Sequence, residues 1–288
     1  MRAIYRRELK SYFHSMIGYV FIAFLVAFTG VYFMAYNLNY GYPYFSYVLS
    51  ATIFIYLIAI PILTMRSFAE ERKNKTDQML LTAPVSLFQV VMGKYLAMVT
   101  ILSIPCAIYL IFPLIIKTQG TAYIVIDYLS VFLLFLLGCV YIAIGMFISS
   151  LTESVIIAAI GTFGVLMVLY LWSGILDFLP TSALANMLGI IVILSCVVFA
   201  VWQMTKNWVI SVALELAAMV GCVITYMIKS TLFESLLSEI LGKADLTNVF
   251  NSVASNHLLD VSRVILYLTL IAVFLFFTMQ MIQKRRWS

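Results

Sequence analysis

Long uninterrupted apolar runs constrain this chain more than any other feature. Residues 17–36, 47–65, 87–116 and 128–148 are each close to or beyond the roughly 20 apolar residues that a bilayer-spanning helix needs. None shows the period-two alternation of a membrane strand. Backbone groups in lipid must be paired within the segment that carries them, so runs of this length fold as helices. Hydrophobic residues make up 64% of the chain and charged residues 10%, against roughly 25% charged in a water-soluble domain, which excludes an ordinary soluble core. The expected class is an all-α polytopic membrane protein, with one transmembrane domain over residues 1–288.

Further runs at 155–176, 187–204, 208–228 and 261–282 bring the expected number of spans to eight. Pro105 and Pro113 are expected to kink the third, because proline removes a donor and crowds the carbonyl four residues back. The first run is too long for the core of a signal peptide and lacks an Ala-x-Ala cleavage pattern. Before it, Tyr5, Leu9, Tyr12, Phe13 and Met16 share one helical face, while Arg2, Arg6, Arg7 and Lys10 point elsewhere. A basic amphipathic helix of this kind lies in the membrane interface; the plainer alternative is a charged topology anchor. Residues 229–260 form a second amphiphilic region, read as two short surface helices, with Thr231 and Glu234 as a capping box and Gly242 as a stop.

Eight spans place both termini on one side. That side carries 13 of the 17 basic residues, the other only Lys117, Lys229, Lys243 and Arg263. Basic residues mark the cytoplasmic face, so the termini are expected in the cytoplasm, and residues 229–260 outside it. The net charge of +5 is spent on topology, and nucleic acid is not an expected partner. Cys106, Cys139, Cys196 and Cys222 lie within apolar runs at unrelated spacings and read as packing residues rather than disulfide or metal ligands.

One polar island interrupts this pattern. Residues 66–77 carry seven charges in twelve positions, between the second and third spans. Ser67 and Glu70 have the spacing of a capping box that would open a short helix; Thr76 would cap a second one reaching Leu81, and Pro84 would end it. Ser86 and Gln89 repeat the box at the start of the third span. A hairpin that merely reverses the chain needs a few polar residues; about twenty with ordered caps point to a docking element at residues 66–86.

Met65-Arg-Ser-Phe-Ala-Glu-Glu-Arg72, Thr76, Leu80-Leu-Thr-Ala-Pro-Val-Ser86 and Gly93-Lys94 resemble the signature region of ABC type-2 exporter permeases, in particular the gliding-motility-type subgroup. The resemblance is strongest over residues 1–175 and returns in the last span with its Lys-Arg-Arg-Trp ending. It implies that the island is a coupling helix docking on a separate ATPase subunit, which would bind ATP and magnesium. Ser67, Phe68, Glu70, Glu71, Arg72, Thr76, Leu80 and Leu81 would then be the docking residues. Residues 1–16 would match the family's elbow helix, and a second permease subunit, identical or related, would complete the pathway in a bacterial cytoplasmic membrane. The chain departs from the pattern at Lys75, where the family often has glycine, and in having eight spans rather than six.

No nucleotide site is expected in this chain. Gly93-Lys94 and Gly242-Lys243 have Phe88 and Leu237 where a phosphate-binding loop needs its first glycine. Glu70-Glu71 is followed by Lys75 without the arginine and His-x-x-x-Asn of intramembrane prenyl-protein-type proteases, and zinc and serine protease motifs are missing. A secondary transporter is the alternative; it would show repeated halves and ionisable groups at the midplane. Glu215 alone fits, in the seventh run. A carboxylate there either lines a substrate path or makes a helix-packing hydrogen bond. His14 and His257 have no metal-ligand company, and Ala217 with Gly221 is a weak small-residue packing pattern.

Overall fold

Every element described in the computed structural model is a helix, as pairing of the backbone within each apolar run requires. The structure describes residues 1–76, 86–180, 182–205, 208–229, 233–243, 245–247 and 261–287. Leu80, Leu81, Lys206, Thr231 and His257 lie outside the described residues. Contacts divide the chain into two units, Met1–Tyr170 with Leu246–Ser288, and Leu171–Asp245.

In the first unit, α1 (Arg2–His14) turns at Met16 into α2 (Ile17–Phe33), which runs on as a π-helical turn, Met34–Asn39. Met16 is the corner itself, with a left-handed φ of 60°, and is exposed rather than part of the buried face of α1. The loop that follows is closed by Asn37, whose side-chain amide donates to the carbonyls of Tyr42 and Tyr44. Then come α3 (Ser46–Thr64), α4 (Ala69–Lys73), α5 (Leu87–Tyr109), α6 (Phe112–Gln119), α7 (Ile124–Leu151) and α8 (Val155–Tyr170). The last helix of the unit is α13 (Val261–Trp287).

The third apolar run is one helix to Tyr109 and a second from Phe112. Pro105 is accommodated inside α5, while Pro113 sits in the first turn of α6, where its missing N–H has no helical acceptor to serve. The break thus comes at Leu110–Ile111, just ahead of the second proline. The fifth run is also divided. Its helix α8 has 16 residues and stops at Tyr170, and α9 (Trp172–Asp177) belongs to the second unit.

Among the described residues, five helical segments are long and apolar enough to cross a membrane: Ile17–Asn39, Ser46–Lys73, Leu87–Gln119, Ile124–Leu151 and Val261–Lys284. Helix α7 is the hub, packing against α3, α5, α8 and α13. Glycine permits the closest approaches. A Cβ at Gly138 would meet Leu102 and Tyr56, and one at Gly145 would overlap the Thr64 side chain. Both ends of α3 are tied to α7 by side chains. At one end buried Asp127 accepts the Phe45 amide at 2.8 Å; at the other end Ser149 does the same for the charged segment.

The second unit pairs α10 (Ala183–Thr205) with α11 (Trp208–Ile228), and packs α9 and α10 on α12 (Leu236–Gly242). Asn186 joins its parts, donating to the Pro180 and Ser182 carbonyls and accepting from the Leu237 amide. The Trp172 indole donates to the Leu241 carbonyl at 2.9 Å. Helix α12 ends at Gly242 as its glycine predicts; most of the second amphiphilic stripe, from residue 248, lies outside the described residues.

Candidate functional site

The charged island carries seven charges in twelve positions between two apolar runs, and the structure folds it inward. Helix α4 follows α3 after a short turn, with Glu70 and Glu71 in its first turn and Arg72 and Lys73 in its last, each sign at the helix end that favours it. Arg66 pairs with Glu70 at 3.1 Å, both partly exposed. Lys73, Asn74, Lys75 and Thr76 are exposed, and the Thr76 hydroxyl donates to the Glu71 carbonyl.

Three of the expected docking residues are not on the surface. Ser67, Phe68 and Arg72 are buried. The capping box at Ser67 does not form, because α4 begins two residues later and is capped from elsewhere. Ser149, at the end of α7, accepts the amides of both Phe68 and Ala69 at 3.1 Å and donates to the Met65 carbonyl at 3.1 Å. One hydroxyl thereby serves two otherwise unpaired helix-start donors and one carbonyl. The box at Ser86 does form in part, with the Ser86 hydroxyl accepting the Gln89 amide at 3.3 Å.

Lys94 is the centre of the site. It lies two turns into α5 and its side chain is 2% exposed, yet it has a full set of partners. The ammonium donates to the Ser67 carbonyl at 2.9 Å and to Glu71 at 2.9 Å, and pairs with Glu8 at 3.2 Å. It also stands 5.3 Å from the centre of the Phe68 ring, a cation–π distance. Arg7 closes the cluster from outside, bonding Glu8 at 2.6 Å and Glu71 at 2.9 Å. Two cations and two anions balance, which is the condition for keeping charge in a buried place. Partial burial works against the Arg7 charge, but Glu8 and then Glu71 outweigh it and raise its pKa.

The N-terminal helix is therefore part of the site. Its apolar face lies on α5, where the Ile4 side chain covers Gly93 and the Tyr5 hydroxyl meets Thr100 at 3.0 Å. Tyr12 reaches the end of α3, donating to the Leu63 carbonyl at 3.2 Å; burial, with Glu8 and the α4 carboxylates nearby, holds its phenol well above the ordinary range. The N-terminal helix, the charged segment and the starts of α5 and end of α7 thus meet at one place. Lys75, the position at which the chain was expected to depart from the resembled motif, has a left-handed φ of 56°, the conformation that glycine adopts without strain.

The sequence pattern of the ABC-2 family transporter proteins matches residues 34–232, more than half of the chain. The chain belongs to the ABC-2 transporter family. As an ABC-2 protein it is a membrane permease component of an ABC transporter, not itself catalytic, of a kind that works with an ABC ATPase. The match runs through α10 and α11, beyond the 1–175 over which the motif resemblance was strongest, and does not include α1 or α13. No curated protein and no solved structure matches the chain.

Glu215 belongs to the second unit. It is half-buried in a crevice between α10 and α11 formed by Ile191, Leu194, Ser195, Val198 and Met219. Cys106 and Cys139 are buried free thiols. Lys94 belongs to the resembled motif but is given no role by it, and Ser149 is absent from the motif reading altogether. A lone cation inside an apolar run is the signal for the first; nothing in the sequence marks the second.

Proposed function

We propose that this ABC-2 protein is the pathway-forming subunit of an ATP-driven exporter and receives force from a separate ATPase through residues 66–76. The observation that carries this reading is the Lys94–Glu71–Glu8–Arg7 cluster. It fastens the segment to α1 and α5 while leaving Lys73, Lys75 and Thr76 exposed, and Glu70 partly exposed, on the side open to a soluble partner. The docking role of Glu71 and Arg72 is then indirect: Glu71 holds the segment in place, and its exposed neighbours make the contact. Leu80 and Leu81 would complete the docking element.

In this reading the charged segment, both termini and the ATPase are cytoplasmic, α1 is an interfacial elbow, and ATP and magnesium are bound by the partner. A second permease subunit completes the pathway. Helices α8, α10 and α11 join the five long segments as spans, giving eight; α10 and α11 have 23 and 21 residues, enough to cross. Glu215 is assigned to holding α10 against α11, and transport by a Glu215→Gln variant separates that role from a place on the substrate path.

The test is co-purification with candidate ATPase subunits and ATP hydrolysis in lipid. Glu71→Lys puts a third cation against Lys94 and Arg7, and is expected to abolish assembly or to uncouple hydrolysis from transport. Unchanged coupled hydrolysis in that variant would overturn the docking assignment.

A further inference from the structure

Helix α1 carries a second pattern that its contacts with α5 do not use. Arg2, Arg6, Lys10 and His14 recur at every fourth residue and are all exposed, so they form one stripe along the helix. Arg7 is engaged by Glu8 and Glu71, but among the described residues Arg2, Arg6 and Lys10 make no salt bridge. The stripe runs to the corner at Ser15 and Met16.

At that corner a groove opens. Met16, Val20 and Phe24 form one wall and Ile58, Ala59 and Ile62 of α3 the other, around a space of about 220 Å³. Ser15 supplies the one polar side chain of the lining. The rim is apolar as well, with Met16 71% and Val20 63% exposed. A helix is about 10–12 Å across with its side chains and does not fit a space of this size, whereas a stretch of a single hydrocarbon chain does.

We propose that this groove is a binding site for an anionic phospholipid, with one acyl chain between α2 and α3 and the phosphate on the basic stripe of α1. The charges and the groove are arranged head to tail in the order of a lipid's own headgroup and chain. Lys10 is four residues, about 6 Å along the helix, from the end of α1 at His14, so the stripe ends beside the corner where Ser15 and Met16 line the groove. Basic residues at a membrane surface attract anionic lipids, and the apolar groove adds chain burial that surface attraction lacks. The site does not depend on the ATPase and is a property of the permease alone.

The test uses the full chain in phosphatidylcholine vesicles. These contain a trace of either phosphatidylglycerol or phosphatidylcholine with a photoactivatable group in the acyl chain. Crosslinked peptides are then mapped. Phosphatidylglycerol is expected to label the peptides around Met16–Phe24 and Ile58–Ile62 several-fold more heavily than phosphatidylcholine does. Val20→Trp, at an exposed position that fills the groove, should remove this labelling while leaving labelling of α13 unchanged. Arg6→Gln with Lys10→Gln should keep chain labelling but abolish the preference for phosphatidylglycerol. Equal labelling by the two lipids in the wild type, or labelling indifferent to Val20→Trp, would overturn the proposal. So would protein–protein crosslinks across the groove, which would show a second copy covering it.

Discussion

Ser149 illustrates how much a single hydroxyl can hold. It accepts two amides and donates to one carbonyl across separations of 80 to 84 residues. Ser149→Ala leaves the Phe68 and Ala69 amides buried without an acceptor, at a cost of about 1–3 kcal/mol. Thermal unfolding in detergent should show the loss, and hydrogen exchange should quicken at those two amides before it does in α3. Lys75 offers the opposite change. Its left-handed backbone costs a side-chain-bearing residue about 1 kcal/mol, which Lys75→Gly relieves. The exposed lysine gives up no buried contact in exchange, so a modest rise in melting temperature is expected; a fall would show that the lysine side chain contributes something the fold does not reveal.

Between elements, the decisive contact is α3 on α7. Asp127 and Ser149 fasten the two helices at opposite ends, and Gly145 lets Thr64 approach where any side chain would intrude. Gly145→Ala must push the helices apart at the point where the charged segment leaves α3. Overpacking of this kind costs about 1–3 kcal/mol. Reduced yield of folded protein and a lower melting temperature are the expected outcomes, whereas Gly164→Ala, with open space around it, should behave as wild type. The α3–α7 pair also gives the charged segment a stiff backing, because α4 rests on the end of the most buried helix rather than on a loop.

For the whole molecule, the question is which ends face the same side. Placing both termini and residues 66–76 on one side makes a prediction about access. In a background with the native cysteines replaced, Lys117→Cys should react with an impermeant thiol reagent added to intact cells. Lys73→Cys should react only after the membrane is opened. The same labelling of both positions would refute the eight-span arrangement and with it the cytoplasmic position of the charged segment.

What the sequence determined by itself follows from composition along the chain. Apolar runs of membrane length can only be helices, so the all-helical class, the helices near residues 17–36, 47–65, 128–148 and 261–282, and the exposed basic face of α1 were all legible. The capping serine at Ser86 was legible too, because its partner is three residues away. Tertiary structure decided everything whose partner is distant. It replaced Ser67 by Ser149 as the cap of α4 and turned Glu71 from a surface contact into the mate of a buried lysine. It also made α1 part of the site, and ended α8 at Tyr170 although the apolar run continues to residue 176. Local pattern fixes which face of a helix is apolar; only packing fixes which charge, from which other helix, is brought against it. Lys94 could be seen in the sequence as a cation in the wrong place, but its reason for being there is two other segments, α1 and the charged segment.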